Sequence, residues 1–180
     1  TMRDGKRIRP IFVYFGYLSA GGKNKKAVLD TCIFAELLHS GLLIHDDIID
    51  RDELRRGQLT VHRKYAKDYR SLTKEAGHLG ICGGILAGDI ISSFCYEILT
   101  QSNFSPELKE KAINRLNQIL EDVISGQVLD IFLKVSRQLQ KKDILKIYEY
   151  KTARYTIEGP LQIGAILAGA DTKTLRILSQ

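Results

Sequence analysis

The sequence contains no tryptophan, one methionine, three prolines and three cysteines in 180 residues. Cys32, Cys82 and Cys95 lack the close spacing of metal ligands and lie among apolar neighbours, so we expect reduced core thiols. The longest apolar run, residues 79–91, carries Asp89 and is too short to cross a bilayer. No signal-peptide pattern is visible. These absences predict a cytoplasmic protein without stable membrane insertion.

Neither sign of charge dominates strongly, since the net charge is +6 with 27% charged residues and a pI near 9.2. The small basic clusters, residues 23–26, 63–67 and 141–142, are scattered, and we interpret them as solvated faces. Nucleic-acid binding is therefore not predicted. The 44% of hydrophobic residues suffices for a sizeable core in one domain, or in a piece of a larger one.

The sequence shows no polar–apolar alternation of period two over more than a few residues. Apolar residues instead recur every three to four positions, which predicts helices. The predicted helical ranges are 11–19, 25–50, 74–101, 106–134, 141–158 and 161–170, with a further start at 171, an irregular stretch at 51–73 and a break or kink at Gly159-Pro160. We expect an all-α bundle whose interior holds a long apolar ligand, with polar groups at one mouth.

Glycines at positions 80, 84 and 88 recur inside one predicted helix. Because glycine weakens a helix, this spacing predicts close approach of another helix, with a ligand as the alternative.

Three carboxylates interrupt an apolar run at residues 42–50. Asp46 and Asp50 share a helix face, while Asp47 is turned about 100° away. Carboxylates aimed at one point repel each other unless a cation lies between them, and oxygen donors without a nearby cysteine indicate Mg²⁺. The alternative is a helix end with solvated acids. The apolar residues just before them favour a position near the core.

Basic residues lie on both sides of these acids. Arg55 and Arg56 follow, and two guanidiniums beside Mg²⁺ suit a diphosphate. A basic loop at residues 3–9 precedes a helix starting near Pro10, which is either an anion site or a disordered end. His39 lies two helical turns before Asp46, so it is either a phosphate donor or an ordinary helical histidine.

Five motifs occur in a fixed order along the chain: 5–10 (GKRIRP), 46–50 (DDIID) with 55–57 (RRG), Gly88-Asp89, Gly126-Gln127 with Asp130, and Lys151-Thr152. In this order they resemble the trans-prenyltransferases, or polyprenyl diphosphate synthases, over nearly the whole chain. The resemblance implies an isoprenoid synthase helical bundle around a central apolar tunnel, usually homodimeric. Such enzymes condense isopentenyl diphosphate with an allylic diphosphate, head to tail and with Mg²⁺.

The resemblance also implies roles for the residues that match the motifs. Asp46 and Asp50 would hold Mg²⁺ on the allylic diphosphate, supported by Asp47, and Arg55 would clamp this diphosphate. The basic residues expected to bind isopentenyl diphosphate are Lys6, Arg9, His39 and Arg56. The residues expected beside the breaking C–O bond are Lys151 and Thr152, with Gln127 and Asp130 lining the same mouth and steadying Lys151.

Product length in this family depends on the residues one turn above the acids. Gly41 and Leu42 occupy this level and are expected to face the tunnel. A bulky aromatic residue here closes the tunnel floor early, which glycine cannot do. We therefore expect a product of twenty carbons or longer.

The sequence departs from the family at both ends. A helix is expected before Gly5-Lys6, and a second aspartate-rich motif after Gln180. We expect residues 1–180 to form a single prenyltransferase domain that lacks these parts. A noncatalytic prenyl-diphosphate-binding subunit of a heteromeric synthase is the main alternative, against which the complete set of motif residues argues. A terpene cyclase is the second, but it has no use for a second basic pocket formed by Lys6, Arg9 and Arg56.

Overall fold

The structure, a computed structural model, describes residues 5–136 and 140–179. The described residues form nine α-helices, one π-helical segment and one small hairpin: α1 Ile8–Ser19, α2 Lys25–Thr31, α3 Phe34–Ile49, β1 Leu54–Arg55, β2 Gln58–Leu59, α4 Val61–Tyr69, α5 Ala76–Gln101, α6 Pro106–Val135, α7 Lys141–Tyr148, the π-helical segment Glu149–Glu158, α8 Gly159–Leu167 and α9 Thr172–Ile177. The all-α prediction is confirmed.

The described residues fall into two compact units. The first contains residues 5–7 and 33–98, and the second contains residues 8–32, 99–136 and 140–179. The expectation of one prenyltransferase domain over residues 1–180 stays a prediction.

Glycines bring the helices of the first unit close together. A side chain at Gly80 would overlap the backbone of His62 in α4, and one at Gly88 would overlap the His45 ring on α3. Gly84 leaves no more room, since a Cβ there would lie 2.7 Å from Ile48 Cδ1. The predicted close helix approach is confirmed. Asp89, beside this stripe, is exposed and lies 3.5 Å from His45 Nε2.

The second unit is built around the contact of α1 with α8. Gly164 lies against the Val13 carbonyl, and Gly16 lies against the Leu161 carbonyl, with no space for a Cβ at either position. The long helix α6 packs on α8 and on the π-helical segment. It begins as predicted, with Pro106 in its first turn and Ser105 Oγ accepting from Leu108 N at 3.4 Å.

The predicted helix 25–50 is two helices, α2 and α3. At the interruption, Thr31 Oγ1 donates to Ala27 O at 2.7 Å and Cys32 Sγ donates to Leu29 O at 3.3 Å. Such side-chain bonds to the backbone compete with the helical pattern. The sequence gives no warning there, because neither glycine nor proline marks the position.

The stretch 51–73, expected to be irregular, contains the hairpin and α4. The strands are two residues long, too short to show alternation, and they pair Leu54 with Leu59. The turn residues Arg56 and Gly57 have φ values of 51° and 74°, the left-handed conformation of a two-residue hairpin loop.

The helix also continues through Gly159-Pro160, where a break or kink was expected. Gly159 N–H bonds to Arg154 O, five residues back, which is the π-helical pattern. Pro160 therefore lies where the π-helical register changes to the α-helical one.

Two stretches, residues 25–49 and Ala76–Gln101, are long and apolar enough to cross a bilayer by length and composition alone. The first is mostly buried, as a core helix would be. The second, α5, is longer than the apolar run 79–91. The expectation that its length excludes a membrane span was therefore wrong. Only 22% of its most apolar window is buried.

Candidate active site

Helix α3 positions the acidic motif of the first unit. Asp50 is the C-cap of α3 and keeps helical dihedral angles, φ −84° and ψ −5°. Asp46 and Asp50 therefore share a face one turn apart, as predicted. The Asp46 side chain is partly buried and Asp50 is exposed. The two carboxylates thus lie on the same side of the end of α3.

Asp47 is the acid that the structure buries. It is 0% exposed, and Arg55 Nε donates a hydrogen bond to its Oδ1. Its Oδ2 is buried with no hydrogen-bond partner in the described part of the chain. Burial raises the pKa of the Asp47 carboxyl above its usual value, although the hydrogen bond from Arg55 acts in the opposite direction. This location is compatible with its predicted supporting role.

Arg55, on β1, draws three carboxylates together. Besides Asp47, its Nη2 lies 3.2 Å from Asp52 Oδ2 and 3.9 Å from Asp46 Oδ2. The guanidinium offsets the repulsion among these acids. Sequence reasoning missed Asp52, although its position three residues before Arg55 was a signal.

The amino-terminal loop meets α3 and the hairpin at Gly5. A Cβ at Gly5 would lie 3.0 Å from Glu36 Oε1 and 3.5 Å from Arg56 Nη1. Glu36 is buried, and its Oε2 has no partner within the described residues. Arg56 holds a left-handed backbone conformation that is unfavourable for a residue other than glycine. The hairpin thus brings Arg56 to the loop that carries the exposed Lys6.

Glu36 was not predicted as a site residue. It lies one turn before the half-buried His39 on α3, and a polar residue in an otherwise apolar helical face was the signal for it.

In the second unit, the predicted contact between Asp130 and Lys151 is confirmed. Lys151 Nζ donates to Asp130 Oδ2 at 3.0 Å, and both side chains are about three-quarters buried. Gly126 makes room, since a Cβ there would lie 3.1 Å from Lys151 Cγ. Gln127 Nε2 is buried with no partner among residues 5–136 and 140–179. Thr152, next to Lys151, is exposed.

A cavity of about 440 Å³ adjoins this ion pair. Asp130, Lys151 and Thr152 provide its polar groups, whereas α6 and α7 provide apolar walls that include Leu133 and Ile147. Sequence reasoning did not find these walls, because they depend on how α7 packs against α6.

Ion pairs tie the π-helical segment to α6. Arg154 lies 3.3 Å from Asp122 of α6, and Arg115 of α6 lies 3.4 Å from Glu158. Within the segment, Arg154 also lies 2.5 Å from Glu149. These contacts fix the segment that carries Lys151.

Arg9, on α1, contacts the same π-helical segment. Its guanidinium lies 4.4 Å above the Tyr155 ring, and Nη2 donates to Thr156 Oγ1 at 3.0 Å. Its Nε is buried without a partner in the described part of the protein. The structure thus holds Arg9 in place, while binding of isopentenyl diphosphate by Arg9 stays a prediction.

Gly41 does not adjoin open space, contrary to the expectation of an open tunnel wall. Its missing Cβ would lie 3.2 Å from Gly88 O and 3.3 Å from Ile91 Cγ2, both on α5. Leu42, by contrast, is only partly buried. Gly41 therefore serves close packing of α3 on α5, and its influence on product length stays a prediction.

The acids of α3 provide only part of a metal site. Within the described ranges, no group of three or more histidine, cysteine or acidic side chains is arranged to hold a metal ion. Mg²⁺ is commonly held by one or two carboxylates together with substrate phosphates. The oxygen pair of Asp46 and Asp50 fits that arrangement.

Comparison with known proteins agrees with this fold. The chain is 33% identical over 176 residues to the geranylgeranyl diphosphate synthase of Methanosarcina mazei, covering 98% of this chain and 49% of the relative. It is 30% identical over 174 residues to the geranylgeranyl pyrophosphate synthase of Geoglobus acetivorans, covering 97% and 50%. The chain thus spans about half the length of these curated relatives.

A solved structure of geranylgeranyl pyrophosphate synthase from Corynebacterium glutamicum, complexed with isoprenyl diphosphate and magnesium, superposes with a TM-score of 0.90 at 36% identity. The match covers 97% of this chain and 51% of that one. The fold is the all-α isoprenoid synthase fold. The family model described as Polyprenyl synthetase matches residues 1–180, and the chain belongs to this family.

Proposed function

We propose that the protein is a prenyltransferase that condenses isopentenyl diphosphate with an allylic diphosphate into a trans-polyprenyl diphosphate. The observation that carries this proposal is the cluster at the end of α3. There, the paired acids Asp46 and Asp50 adjoin a buried Asp47 that is bonded to Arg55. The relatives named as prenyl diphosphate synthases support the substrate class.

Mg²⁺ is the metal that this donor set fits. Asp46 and Asp50 would hold it, and Asp47 would keep Arg55 beside them. When bound with substrate, Mg²⁺ neutralises charge on the departing diphosphate. The magnesium named in the Corynebacterium glutamicum complex supports this choice.

The protein's own side chains bind and orient the two substrates. Arg55 binds the allylic diphosphate, because a planar guanidinium can donate two parallel hydrogen bonds to phosphate oxygens. The groups proposed for isopentenyl diphosphate are Lys6, Arg9, His39 and Arg56. Lys151 and Thr152 contribute an ammonium and a hydroxyl beside the breaking C–O bond, Asp130 orients Lys151, and the buried amide of Gln127 offers a further donor.

The reaction breaks the allylic C–O bond, and the diphosphate leaves with the electron pair. The double bond of isopentenyl diphosphate then supplies the electrons of the new C–C bond, and loss of a proton restores a double bond. The allylic cation must be shielded from water. In the second unit, Leu133 and Ile147 provide apolar walls beside Lys151.

We propose a product of twenty carbons or longer. Neither Gly41 nor Leu42 is aromatic, so neither closes the floor of a tunnel early. The geranylgeranyl synthases among the relatives make this length reasonable.

We also propose a cytoplasmic homodimer that pairs through α5. Leu86, Ile90 and Phe94 recur every four residues on this helix and are exposed by 61%, 57% and 46%. A second copy of the same face would remove this apolar surface from water. Three free cysteines are compatible with a reducing compartment. We propose neither a nucleic-acid partner nor a membrane-spanning segment.

Incubation with isopentenyl diphosphate, a short allylic diphosphate and Mg²⁺, followed by mass spectrometry, tests the proposal. Linear products extended by five-carbon units, with chains of twenty carbons or more, are the expected result. Cyclised hydrocarbons would indicate a terpene cyclase. Binding of the allylic diphosphate without any product would favour a noncatalytic partner subunit.

A further inference from the structure

A second basic concavity lies in the first unit, outside the candidate active site. Its volume is about 960 Å³, and its walls are the outer face of α4, the loop after it and the first turn of α5. Four cations line it, namely Arg63, Lys67, Arg70 and Lys74. No acidic side chain is among the described residues that line it.

Three of these cations lie on one face of α4 and its C-cap, since Arg63, Lys67 and Arg70 follow one another at steps of four and three residues. Lys74 extends this stripe from the loop before α5. Like charges at these steps repel one another and weaken a helix. An anion bound among them would offset this repulsion.

Only one of the four cations has a carboxylate partner in the described ranges. Arg63 Nη2 lies 2.7 Å from Glu53 Oε1, whereas no ion pair of Lys67, Arg70 or Lys74 is present there. The charge on the stripe therefore remains largely uncompensated by the protein.

The start of α5 forms the facing wall. Thr73 Oγ1 accepts from Glu75 N at 3.1 Å and shapes the turn that precedes the helix. Ala76 and Gly77 then line the concavity, and a Cβ at Gly77 would meet no atom within 4 Å. The Gly77 backbone is thus open to a ligand that the cations attract.

We propose that this concavity binds a small phosphate-bearing anion, with inorganic diphosphate as its simplest form. Arg63 and Arg70 supply planar guanidinium donors, and Lys67 and Lys74 supply point charges, a combination suited to phosphate oxygens. The volume is within the range of small-molecule sites, about 300–1,000 Å³. A concave wall favours a compact anion over a flat lipid surface or a nucleic acid. This site is independent of the proposed prenyltransferase reaction.

Titration of the chain with inorganic diphosphate in EDTA tests the site, because metal-dependent binding at Asp46 and Asp50 is then suppressed. The Gly77 amide, followed by ¹H–¹⁵N NMR, is a local readout. We expect the Gly77 amide resonance to shift and to saturate as diphosphate is added. In the double variant Lys67→Gln/Arg70→Gln, the affinity for diphosphate obtained from this shift should be at least tenfold weaker. The matched control Lys25→Gln/Lys26→Gln removes two exposed charges from α2 and should leave the response unchanged.

Three results would overturn the inference. The first is a Gly77 amide resonance that does not shift when diphosphate is added. The second is an equal loss of affinity for diphosphate in both double variants. The third is binding of phosphatidylserine vesicles that depends on Lys67 and Arg70, while diphosphate does not shift Gly77. Circular dichroism checks folding, and all four substituted residues are exposed. The variant Arg56→Gln separates this site from the proposed substrate site, since it should leave the Gly77 response intact. A Gly77 response without any prenyl elongation would preserve the inference and contradict the proposed function.

Discussion

Asp47 combines full burial with a charged partner, and the two have opposite effects on its ionisation. Removal from water raises the pKa of its carboxyl, while Arg55 stabilises the ionised form. The net shift is upward, so the ionised pair is held against a desolvation penalty. Such a pair positions a guanidinium more than it stabilises the fold.

Asp47→Asn should therefore be tolerated. At pH 7 the free energy of unfolding is expected to stay within about 1 kcal/mol of the wild type, because Asn still accepts one hydrogen bond from Arg55. The folded pKa of Asp47 lies above its unfolded value. Its contribution to stability is therefore present below the unfolded pKa and is lost as pH rises through the folded pKa. Urea unfolding at increasing pH, from about pH 4 upward, should show a smaller fall in stability for Asp47→Asn than for the wild type.

The control for this prediction is Asp52→Asn, which removes a more exposed acid from the same guanidinium and leaves Asp47 in place. The fall in stability that depends on Asp47 should persist in this variant. A loss of several kcal/mol in Asp47→Asn at pH 7 would show instead that the ion pair stabilises the protein.

At the residue scale, the sequence predicted some positions of side chains better than it predicted their surroundings. The helical period correctly placed Asp46 and Asp50 on one face, and the family resemblance correctly implied the contact between Asp130 and Lys151. The burial of Asp47 could not be predicted, since it depends on Arg55 returning from a hairpin. The closed environment of Gly41 likewise depends on α5, more than 40 residues away.

At the scale of elements, helix positions followed from apolar periodicity, whereas their interruptions did not. Side-chain bonds from Thr31 and Cys32 to the backbone accompany the break between α2 and α3. Ion pairs to α6, including that of Arg154 with Asp122, accompany the π-helical segment. The partners in the second case are more than 30 residues apart, so they leave no local signal in the sequence.

Glycine substitutions test the helix packing. Gly164→Ala should destabilise the protein by about 3 kcal/mol, because its Cβ would overlap the Val13 carbonyl of α1. Gly77→Ala is the matched control on α5, where a Cβ meets open space. It should stabilise by up to about 1 kcal/mol through helix propensity. Thermal and urea unfolding measure both, and equal effects of the two substitutions would contradict the described α1–α8 contact.

At the scale of the whole molecule, the chain spans about half the length of the relatives described above and folds into two compact units. The sequence predicted the all-α class but not this division. The exposed apolar face of α5 is the main surface feature that a homodimer would explain.

Leu86→Glu/Ile90→Glu should shift the protein from dimer to monomer in sedimentation velocity, since each protomer would bury two carboxylates, four in the dimer, at the proposed interface. Leu72→Glu is the control, because Leu72 is 74% exposed on the loop before α5. It should leave the dimer intact. A wild type that stays monomeric at all concentrations, or a dimer unaffected by the α5 double variant, would rule out this interface.

The central claim is that Asp46 and Asp50 recruit Mg²⁺ to an allylic diphosphate, and calorimetric titration with this ligand tests it most directly. Added Mg²⁺ should tighten binding to the wild type. In Asp46→Asn and in Asp50→Asn, the Mg²⁺-dependent increase in affinity should be at least tenfold smaller than in the wild type. Tenfold corresponds to about 1.4 kcal/mol, the value of one charge-assisted contact. The control Asp30→Asn, an exposed acid on α2, should behave as wild type. Binding that is indifferent to Mg²⁺, or equally strong in all three variants, would contradict the account.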